Sequence, residues 1–391
     1  MKRASDRLSR IPPSATLGIS ARARELRSEG IDVVSFGAGE PDFATPEHVV
    51  AAAARACYDP DNHKYTASAG LRPLREAIAE DVRRYSGVEV DWSEVMVTNG
   101  AKQAVFQAFA ALLDQGDEVL LPSPHWVTYP AGIELAGGVT VSVPTTIESE
   151  FKVSVADLEK ARTARTRLLV FVSPSNPTGA VYSAEEARAI GEWASANEIW
   201  VLADEIYQRL TYFTDVAPSI AAVTPRFDNW LLVNGVAKSY SMTGWRVGWM
   251  VGPADIVEAA NSHQSHLTGN VDNVAQHAAL AALRGPQNTV EEMRRAFDSR
   301  RKLMYGLVSD IPGVRCVEPQ GAFYVFPEVT DALEGRWGST DELATVILEE
   351  AGVALVPGES FGTPGFLRLS YAVGEADIER GVDRIRRLLA G

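Results

Sequence analysis

The sequence contains little cysteine and no cluster of residues typical of a metal site. Among 391 residues only Cys57 and Cys316 are cysteines, and they form no CxxC pair. No histidines and cysteines stand together at metal-ligand spacing. We therefore expect neither a disulfide framework nor a structural zinc site.

The chain also lacks long apolar runs and an excess of basic residues. Its apolar stretches are far shorter than a membrane span, and the N-terminal MKRASDRLSR has no apolar core of the kind found in signal peptides. The formal net charge at pH 7 is -14. This argues against nucleic acid and anionic membranes as main partners, because both need a basic surface. We expect a cytoplasmic soluble protein.

From about residue 45 to 285 the chain alternates helical and strand patterns. Short apolar runs end in polar, glycine or proline residues, and they read EVMVTNG, EVLLPSP, LLVFVSPSNP, IWVLADE and NWLLVNG. Unbroken apolar runs indicate strands that are buried on both faces of a parallel sheet. Helical segments separate several of these runs, and one begins with a capping box at Ser183 and Glu186. The pattern predicts an open α/β sheet.

After about residue 288 the pattern changes. It predicts a long amphipathic helix in NTVEEMRRAFDSRRKLMYGLVSDI, then strands in GAFYVFP, VALVP and GFLRLSY, and a closing helix. We expect residues 46–298 to form a large domain, and residues 1–45 with 299–391 to form a smaller α+β domain. In GFLRLSY, alternation places Arg368 opposite its two leucine neighbours, so spacing alone favours a solvated arginine.

Small or polar residues follow each of the five apolar runs. In open α/β sheets ligands bind beyond the carboxyl ends of the strands, so we expect these residues to form a site. They are Asn99-Gly100-Ala101-Lys102, Pro124-His125-Trp126, Ser175-Asn176-Pro177, Asp204-Glu205 and Gly235 to Lys238.

The stretch TNGAKQAVFQAF predicts a phosphate site. Gly100 and Ala101 stand where a strand turns into a helix, and the free N–H groups and dipole of a helix start bind anions. The stretch is neither GxGxxG nor a Walker loop, so neither a dinucleotide nor ATP gains support. An Asn-Gly pair alone is also an ordinary turn. Arg246, farther along the chain, offers a planar fork that suits phosphate.

Three further side chains suit the same ligand. Trp126 could stack on a flat ring, although most such tryptophans only pack. Asp204 ends a buried strand, where a helix cap or structural ion pair explains a carboxylate as well as a ligand does. Lys238 follows the run WLLV, and burial near other cations favours the neutral amine that attacks a carbonyl. A phosphorylated, cationic heteroaromatic aldehyde uses all these groups, and pyridoxal 5′-phosphate (PLP) is such a molecule.

The chain resembles class I aminotransferases of PLP fold type I, in particular the bacterial aspartate aminotransferases. The resemblance covers nearly the whole chain. Its motifs, in order, are PSAT, FGAGEPDF, KYTASAG, TNGAKQA, SPHWVTYP, SNPTGAVY, DEIY, AKSYSMTGWRVG, QGAFYVF, LVPGESFG and RLSYA. It implies a large domain with a mostly parallel central sheet flanked by helices, and a smaller α+β domain.

The resemblance assigns roles around the cofactor. It implies that Lys238 forms the Schiff base and shuttles the proton between Cα and the cofactor C4′, and that Asp204 pairs with the ring nitrogen. Tyr65 is implied to reach the phosphate in the neighbouring subunit, which makes the protein a homodimer with shared active sites. The other implied cofactor contacts are Gly100, Ala101, Lys102, Trp126, Asn176, Tyr207 and Arg246, with Tyr207 also counted among the catalytic residues.

The resemblance also implies the substrate contacts and the reaction. Arg368 matches the bidentate clamp on the α-carboxylate, which reverses the interpretation from spacing, and Lys102 matches a lysine that receives a side-chain carboxylate. The expected reaction transfers the amino group between L-aspartate and 2-oxoglutarate, giving oxaloacetate and L-glutamate. The residues expected to contact the substrate are Gly39, Lys102, Trp126, Asn176 and Arg368.

Other functions stay open at this point. An aminotransferase for an aromatic or other biosynthetic amino acid is the alternative, because His125 and Ser175 depart from the residues usual in close relatives. Relatives that accept prephenate carry a basic residue before PSAT, where this chain has Pro12 and Pro13. A PLP lyase or oxidase is a further alternative. A ligand-binding module on the same fold is another, although it would not need a reactive lysine.

Overall fold

Helices and strands alternate along most of the chain. The computed structural model describes residues 5–9, 11, 15–225, 227–333 and 335–390, so Pro12 and Pro13 lie outside the described residues. The strands are β1 Val34–Ser35, β2 Val95–Thr98, β3 Glu118–Ser123, β4 Val139–Pro144, β5 Thr166–Val172, β6 Trp200–Asp204, β7 Trp230–Gly235, β8 Gly248–Val251, β9 Tyr324–Val325, β10 Val353–Ala354, β11 Val356–Pro357 and β12 Leu367–Ser370. The helices are α1 Asp6–Ser9, α2 Ala15–Ser28, α3 Glu47–Ala56, α4 Arg72–Asp81, α5 Ala101–Leu112, α6 Tyr129–Leu135, α7 Val155–Ala161, α8 Ala184–Ala196, α9 Ile220–Val223, α10 Ala254–Leu267, α11 Asn273–Arg284, α12 Asn288–Ser309, α13 Thr330–Leu333, α14 Thr340–Ala351 and α15 Glu375–Ala390.

Seven strands form the central sheet, in the order β2-β8-β7-β6-β5-β3-β4. The pairs from β7 to β4 are parallel, whereas β8 is antiparallel to both of its neighbours. The predicted mostly parallel sheet is therefore confirmed, and all five apolar runs contain strands. Strands β4 and β8 were not predicted. Strand β4 lies at the sheet edge, where several of its residues are exposed and no unbroken apolar run is needed.

Strand β7 illustrates why these runs are apolar throughout. Leu231 and Val233 pack on one face of the sheet with Phe109 of α5, whereas Leu232 packs on the other face with Ala278 of α11. All five side chains are fully buried. Burying an aliphatic side chain of this size stabilises the fold by roughly 1.5–3 kcal/mol, so both faces favour apolar residues.

Strand directions bring the predicted polar groups to one edge of the sheet. Because β2 and β7 both pair antiparallel with β8, they run in the same direction. Thr98 at the end of β2 and Gly235 at the end of β7 both pair with Gly248, the first residue of β8. The carboxyl ends of β2, β5, β6 and β7 therefore share one edge, where the sequence predicts a site.

The C-terminal third adds two small sheets. Strands β11, β12 and β9 form an antiparallel sheet, and β10 pairs in parallel with β1 of the N-terminal segment. The predicted long helix is α12, and the predicted closing helix is α15, which buries Ile378, Val382 and Ile385. The proposed division into domains stays a prediction. Its boundary at residue 298 lies within helix α12, which is continuous from Asn288 to Ser309.

Local helix signals also match the sequence. Ser183 caps α8 by accepting a hydrogen bond from the Glu186 amide, and the Glu186 side chain accepts from the Ser183 amide, as the capping box predicts. Over the described ranges, none of the helices combines the length and the apolar character required to cross a bilayer.

Candidate active site

A cavity of about 360 Å³ opens at the carboxyl edge of the central sheet. It is bounded on one side by the ends of the central strands and on the other by the small antiparallel sheet. Ten of the twelve predicted site residues line it, namely Gly39, Ala101, Lys102, Trp126, Asn176, Asp204, Tyr207, Lys238, Arg246 and Arg368. Among the described residues, no three His, Cys, Asp or Glu side chains are placed to hold a metal ion.

We call residues 99–102, 176, 204–207 and 235–238 the strand-end wall, because they end or follow β2, β5, β6 and β7. Within it, Asp204 is the last residue of β6 and only 4% exposed. Its carboxylate accepts hydrogen bonds from the Tyr129 hydroxyl at 2.7 Å and the Ile206 amide at 3.2 Å. Burial raises the pKa of Asp204, and the bond from Tyr129 opposes that rise. No described cation forms an ion pair with it, so a cationic ligand atom would complete its surroundings.

Lys238 lies in the turn after β7, and its ammonium group points into the cavity, where it donates to the Gly39 carbonyl. Burial, together with the nearby Arg368 cation, lowers the pKa of Lys238 to about 8. A lysine with this pKa carries a useful neutral fraction near physiological pH. The residue therefore has the character of a reactive amine and not of a solvated surface cation.

The start of α5 has the character of an anion site. Gly100 precedes the helix at φ +82°, and no side chain caps the first turn. A Cβ on Gly100 would lie 2.4 Å from an Arg246 guanidinium nitrogen, and one on Gly248 would lie 2.3 Å from the Ala101 amide nitrogen. Only glycines permit this packing, which brings the Arg246 cation beside uncapped helix amides.

Lys102 and Trp126 meet at the mouth of the cavity. The Lys102 ammonium lies 5.2 Å from the centre of the Trp126 ring. Partial burial lowers the pKa of Lys102, and Arg246 lowers it further. No described carboxylate forms an ion pair with Lys102, so this cation is available to a ligand.

The opposite side, which we call the small-sheet wall, consists of residues 324 and 368. Arg368 in β12 is 2% exposed, so the solvated arginine favoured by spacing is wrong. Alternation fails here because β12 is the middle strand of its sheet and is buried on both faces. The Arg368 guanidinium donates to Asn176 Oδ1 at 2.9 Å and to the Gly37 carbonyl at 2.8 Å.

A second buried arginine shows what Arg368 lacks. Arg301 is also 2% exposed, but it forms ion pairs with Asp298 and Glu318. Arg368 meets only neutral acceptors among the described residues, and its Nε has no partner. A buried charge without a counter-ion is unfavourable, so a carboxylate from a ligand would complete the Arg368 environment.

Six further residues line the cavity, and none of them was assigned a role from the sequence. Tyr129 and Tyr324 contact predicted site residues, because Tyr129 donates to Asp204 and the Tyr324 hydroxyl lies 2.8 Å from that of Tyr207. Both occur in motifs recognised in the sequence, SPHWVTYP and QGAFYVF, and that was the available signal. The six residues are Tyr129, Val172, Ile206, Ala237, Thr243 and Tyr324.

Two predicted residues do not line the cavity. Gly100 lies behind it against Arg246, whereas Tyr65 is on the surface, with 97% of its side chain exposed. The departures His125 and Ser175 line a smaller neighbouring pocket that also touches Asn176. They are therefore one layer away from the groups that face the main cavity.

Fold and site together define an enzyme of amine–carbonyl chemistry. An α/β sheet carries at one edge a reactive lysine, a buried carboxylate and an anion-binding helix start, facing an arginine without a counter-ion.

The model of the family "Aminotransferase class I and II" matches residues 31–385. The chain is 54% identical to the aspartate aminotransferase of Streptomyces avermitilis, covering 100% of this chain and 97% of that protein. It is 46% identical to the aspartate aminotransferase of Geobacillus stearothermophilus, covering 98% of each. Its structure matches that of the Thermus thermophilus aspartate aminotransferase with maleate, with a TM-score of 0.94, 41% identity and coverage of 99% and 100%.

The chain therefore belongs to the aminotransferase class I and II family, within the group of bacterial aspartate aminotransferases. It is a transaminase, and its fold is PLP fold type I.

Proposed function

We propose that the protein transfers the amino group between L-aspartate and 2-oxoglutarate with PLP as cofactor. The observation that carries the proposal is a pair of cations, Lys102 and Arg368, that line one cavity with Lys238 and have no carboxylate partner among the described residues. A substrate with two carboxylates would satisfy both cations while its amino group lies near Lys238.

The described residues fit PLP. The uncapped start of α5 and Arg246 offer a phosphate site, and the Gly100 and Gly248 contacts leave no room for a Cβ there. Asp204 offers a buried carboxylate without a cationic partner, which suits a protonated ring nitrogen. Lys238 offers the amine for the aldehyde, and the Trp126 ring lines the same cavity.

The chemistry supplied by bound PLP is an electron-accepting ring that stabilises negative charge at the substrate Cα. Lys238 takes the proton from Cα and returns it, since its pKa of about 8 allows both protonation states near neutral pH. Asp204 would hold a proton on the ring nitrogen, and the Tyr129 hydroxyl keeps that carboxylate oriented. Tyr207 and Asn176 line the same cavity and would bind the ring oxygen.

Arg368 holds the α-carboxylate with its planar fork, and Asn176 fixes the fork through a 2.9 Å hydrogen bond. Gly39 supplies a backbone contact beside it. Lys102 receives the side-chain carboxylate of aspartate or glutamate. Because the two cations differ in burial, we expect Arg368 to contribute most of the affinity and Lys102 most of the preference for dicarboxylates.

A panel of amino donors with 2-oxoglutarate tests the proposal. Aspartate should lead in kcat/KM by a wide margin over aromatic donors and alanine, with one L-glutamate formed for each oxaloacetate. A lead by an aromatic donor would instead favour the alternative suggested by His125 and Ser175. Release of ammonia in place of L-glutamate would indicate a lyase or an oxidase.

The assembly proposed with this function is a homodimer with shared active sites. Its support is Tyr65, which is 97% exposed in the single chain and is suited to reach the phosphate site of a partner. Light scattering should give twice the chain mass of 42.3 kDa, whereas a monomer active at all concentrations would contradict it. The proposed compartment is the cytoplasm, with both cysteines as free thiols.

A further inference from the structure

Tyr324 contacts both halves of the site. It is fully buried in β9, and its hydroxyl lies 2.8 Å from the hydroxyl of Tyr207, which belongs to the strand-end wall. Its ring lies under the Arg368 guanidinium, whose carbon is 4.5 Å from the ring centre. A Cβ on Gly39 would lie 2.9 Å from the Tyr324 hydroxyl oxygen, so the backbone there packs closely against it.

The small sheet fixes this position. Tyr324 of β9 pairs with Ser370 of β12, two residues after Arg368. Phe361 lies on the guanidinium as well, with 5.0 Å between the guanidinium carbon and the ring centre. Aromatic rings at these distances attract a cation, and burial strengthens the attraction. Arg368 is therefore oriented by rings, while its fork stays directed at Asn176 and the Gly37 carbonyl.

The direction of the hydrogen bond between the two hydroxyls decides what Tyr207 can do. Each phenol carries one proton, so one oxygen donates and the other accepts, and both arrangements fit the 2.8 Å distance. Burial raises the pKa of both phenols, and the Arg368 cation opposes the rise for both. Because the Arg368 guanidinium lies directly over the Tyr324 ring, it acts most strongly on that phenol and favours Tyr324 as the donor. When Tyr324 donates, the Tyr207 proton is left free for a ligand.

We propose that Tyr324 is a positioning residue whose hydroxyl directs the Tyr207 proton toward the cofactor and whose ring supports Arg368 at the substrate carboxylate. This inference rests on the proposed function. It goes beyond that function because the Tyr324 side chain then positions both Tyr207 at the cofactor and Arg368 at the substrate carboxylate. Tyr324 itself takes no part in the reaction.

Two variants separate the two roles. Tyr324→Phe keeps the ring and removes the hydroxyl, so the Tyr207 proton is no longer directed at the cofactor ring oxygen. A weaker bond to that oxygen should raise the pH midpoint of the bound PLP absorbance change by about 0.5–1 pH unit and weaken PLP binding about two- to tenfold. The affinity for succinate, an unreactive dicarboxylate, should change less than about twofold. Tyr324→Leu should also weaken succinate binding about fivefold or more.

Tyr371→Phe is the matched control. Tyr371 is a fully buried tyrosine just after β12, and its hydroxyl donates to the Ala322 carbonyl away from the cavity. This variant should keep the wild-type midpoint, PLP affinity and succinate affinity. All variants are measured as PLP-loaded protein, with circular dichroism to verify folding.

The outcomes distinguish this inference from the proposed function. Wild-type protein that takes up no PLP would overturn both. Wild-type protein that binds PLP while Tyr324→Phe titrates and binds PLP as the wild type does would overturn only the role of Tyr324. If Tyr324→Leu fails to fold, the Tyr324→Phe result alone decides.

Discussion

The two walls of the cavity differ in how their residues reach the site. The strand-end wall places Asp204 and Lys238 in the cavity through a general property of open α/β sheets, whose strand ends share one edge. The small-sheet wall places Arg368 and Tyr324 there from within short strands whose residues are all buried.

The difference also appears in the energetics. On the strand-end wall, Asp204 and Lys238 have neutral hydrogen-bond partners in Tyr129 and Gly39. On the small-sheet wall, Arg368 keeps its charge in a fully buried position, with aromatic rings in place of a counter-ion. The comparison suggests that the strand-end wall binds the cofactor and carries the chemistry, whereas the small-sheet wall binds the substrate carboxylate.

Among substitutions of the two cations proposed to bind the substrate carboxylates, the larger effect is expected for Arg368 on the small-sheet wall. Arg368→Lys keeps a positive charge but loses the planar fork and the ring contacts, so kcat/KM for aspartate should fall about 100- to 1,000-fold. Arg301→Lys is the matched control at equal burial, since its partners Asp298 and Glu318 belong to the protein. That variant should lose stability but keep kcat/KM within about twofold. A loss below threefold for Arg368→Lys would break the comparison.

A smaller effect is expected for Lys102 on the strand-end wall. Lys102→Gln removes an exposed cation at the cavity mouth, so kcat/KM for aspartate should fall about tenfold, while the value for alanine stays within about twofold. The exposed Lys160→Gln in α7 controls for the loss of one charge. Equal losses for aspartate and alanine would show that Lys102 acts on the cofactor alone, and a PLP titration would check this.

The smallest effect concerns the stability of the strand-end wall itself. Glu205 follows Asp204, is 3% exposed, and has one oxygen without a hydrogen-bond partner. Burial raises the pKa of Glu205 to about 7. The unfolded chain therefore loses its proton at lower pH than the folded one, so wild-type stability falls relative to Glu205→Gln as pH rises from about 4.5 through 7.

Urea unfolding at pH 5 and pH 8 measures this difference. Relative to wild type, Glu205→Gln should gain up to about 3 kcal/mol between the two pH values. The exposed Glu192→Gln in α8 should show no such gain. Parallel pH dependence of wild type and Glu205→Gln would indicate that the buried carboxyl titrates normally.

The sequence predicts the strand-end wall well for a physical reason. Parallel strands buried on both faces need unbroken apolar runs, which are visible in the text, and the residues after Val172, Ala203 and Val233 then share one edge. The exposed edge strand β4 has no such run and is missed.

The small-sheet wall could not be predicted from spacing. Strands of two to four residues are too short for alternation to indicate a buried face, and Arg368 lies on a strand with no solvated side. Resemblance to relatives supplied Arg368, but not the contact between Tyr324 and Tyr207, which joins residues 117 positions apart in the chain. Tyr65 stays a prediction, because its expected contact belongs to a second chain.

The most direct test of the central claim is single-turnover absorbance of PLP-loaded protein on addition of aspartate, with Lys238→Ala alongside. The wild-type spectrum should shift with aspartate and revert with 2-oxoglutarate. The folded variant should lose more than about a thousandfold in turnover. A wild-type protein that takes up no PLP, or a Lys238→Ala variant that turns over at the wild-type rate, would contradict the account.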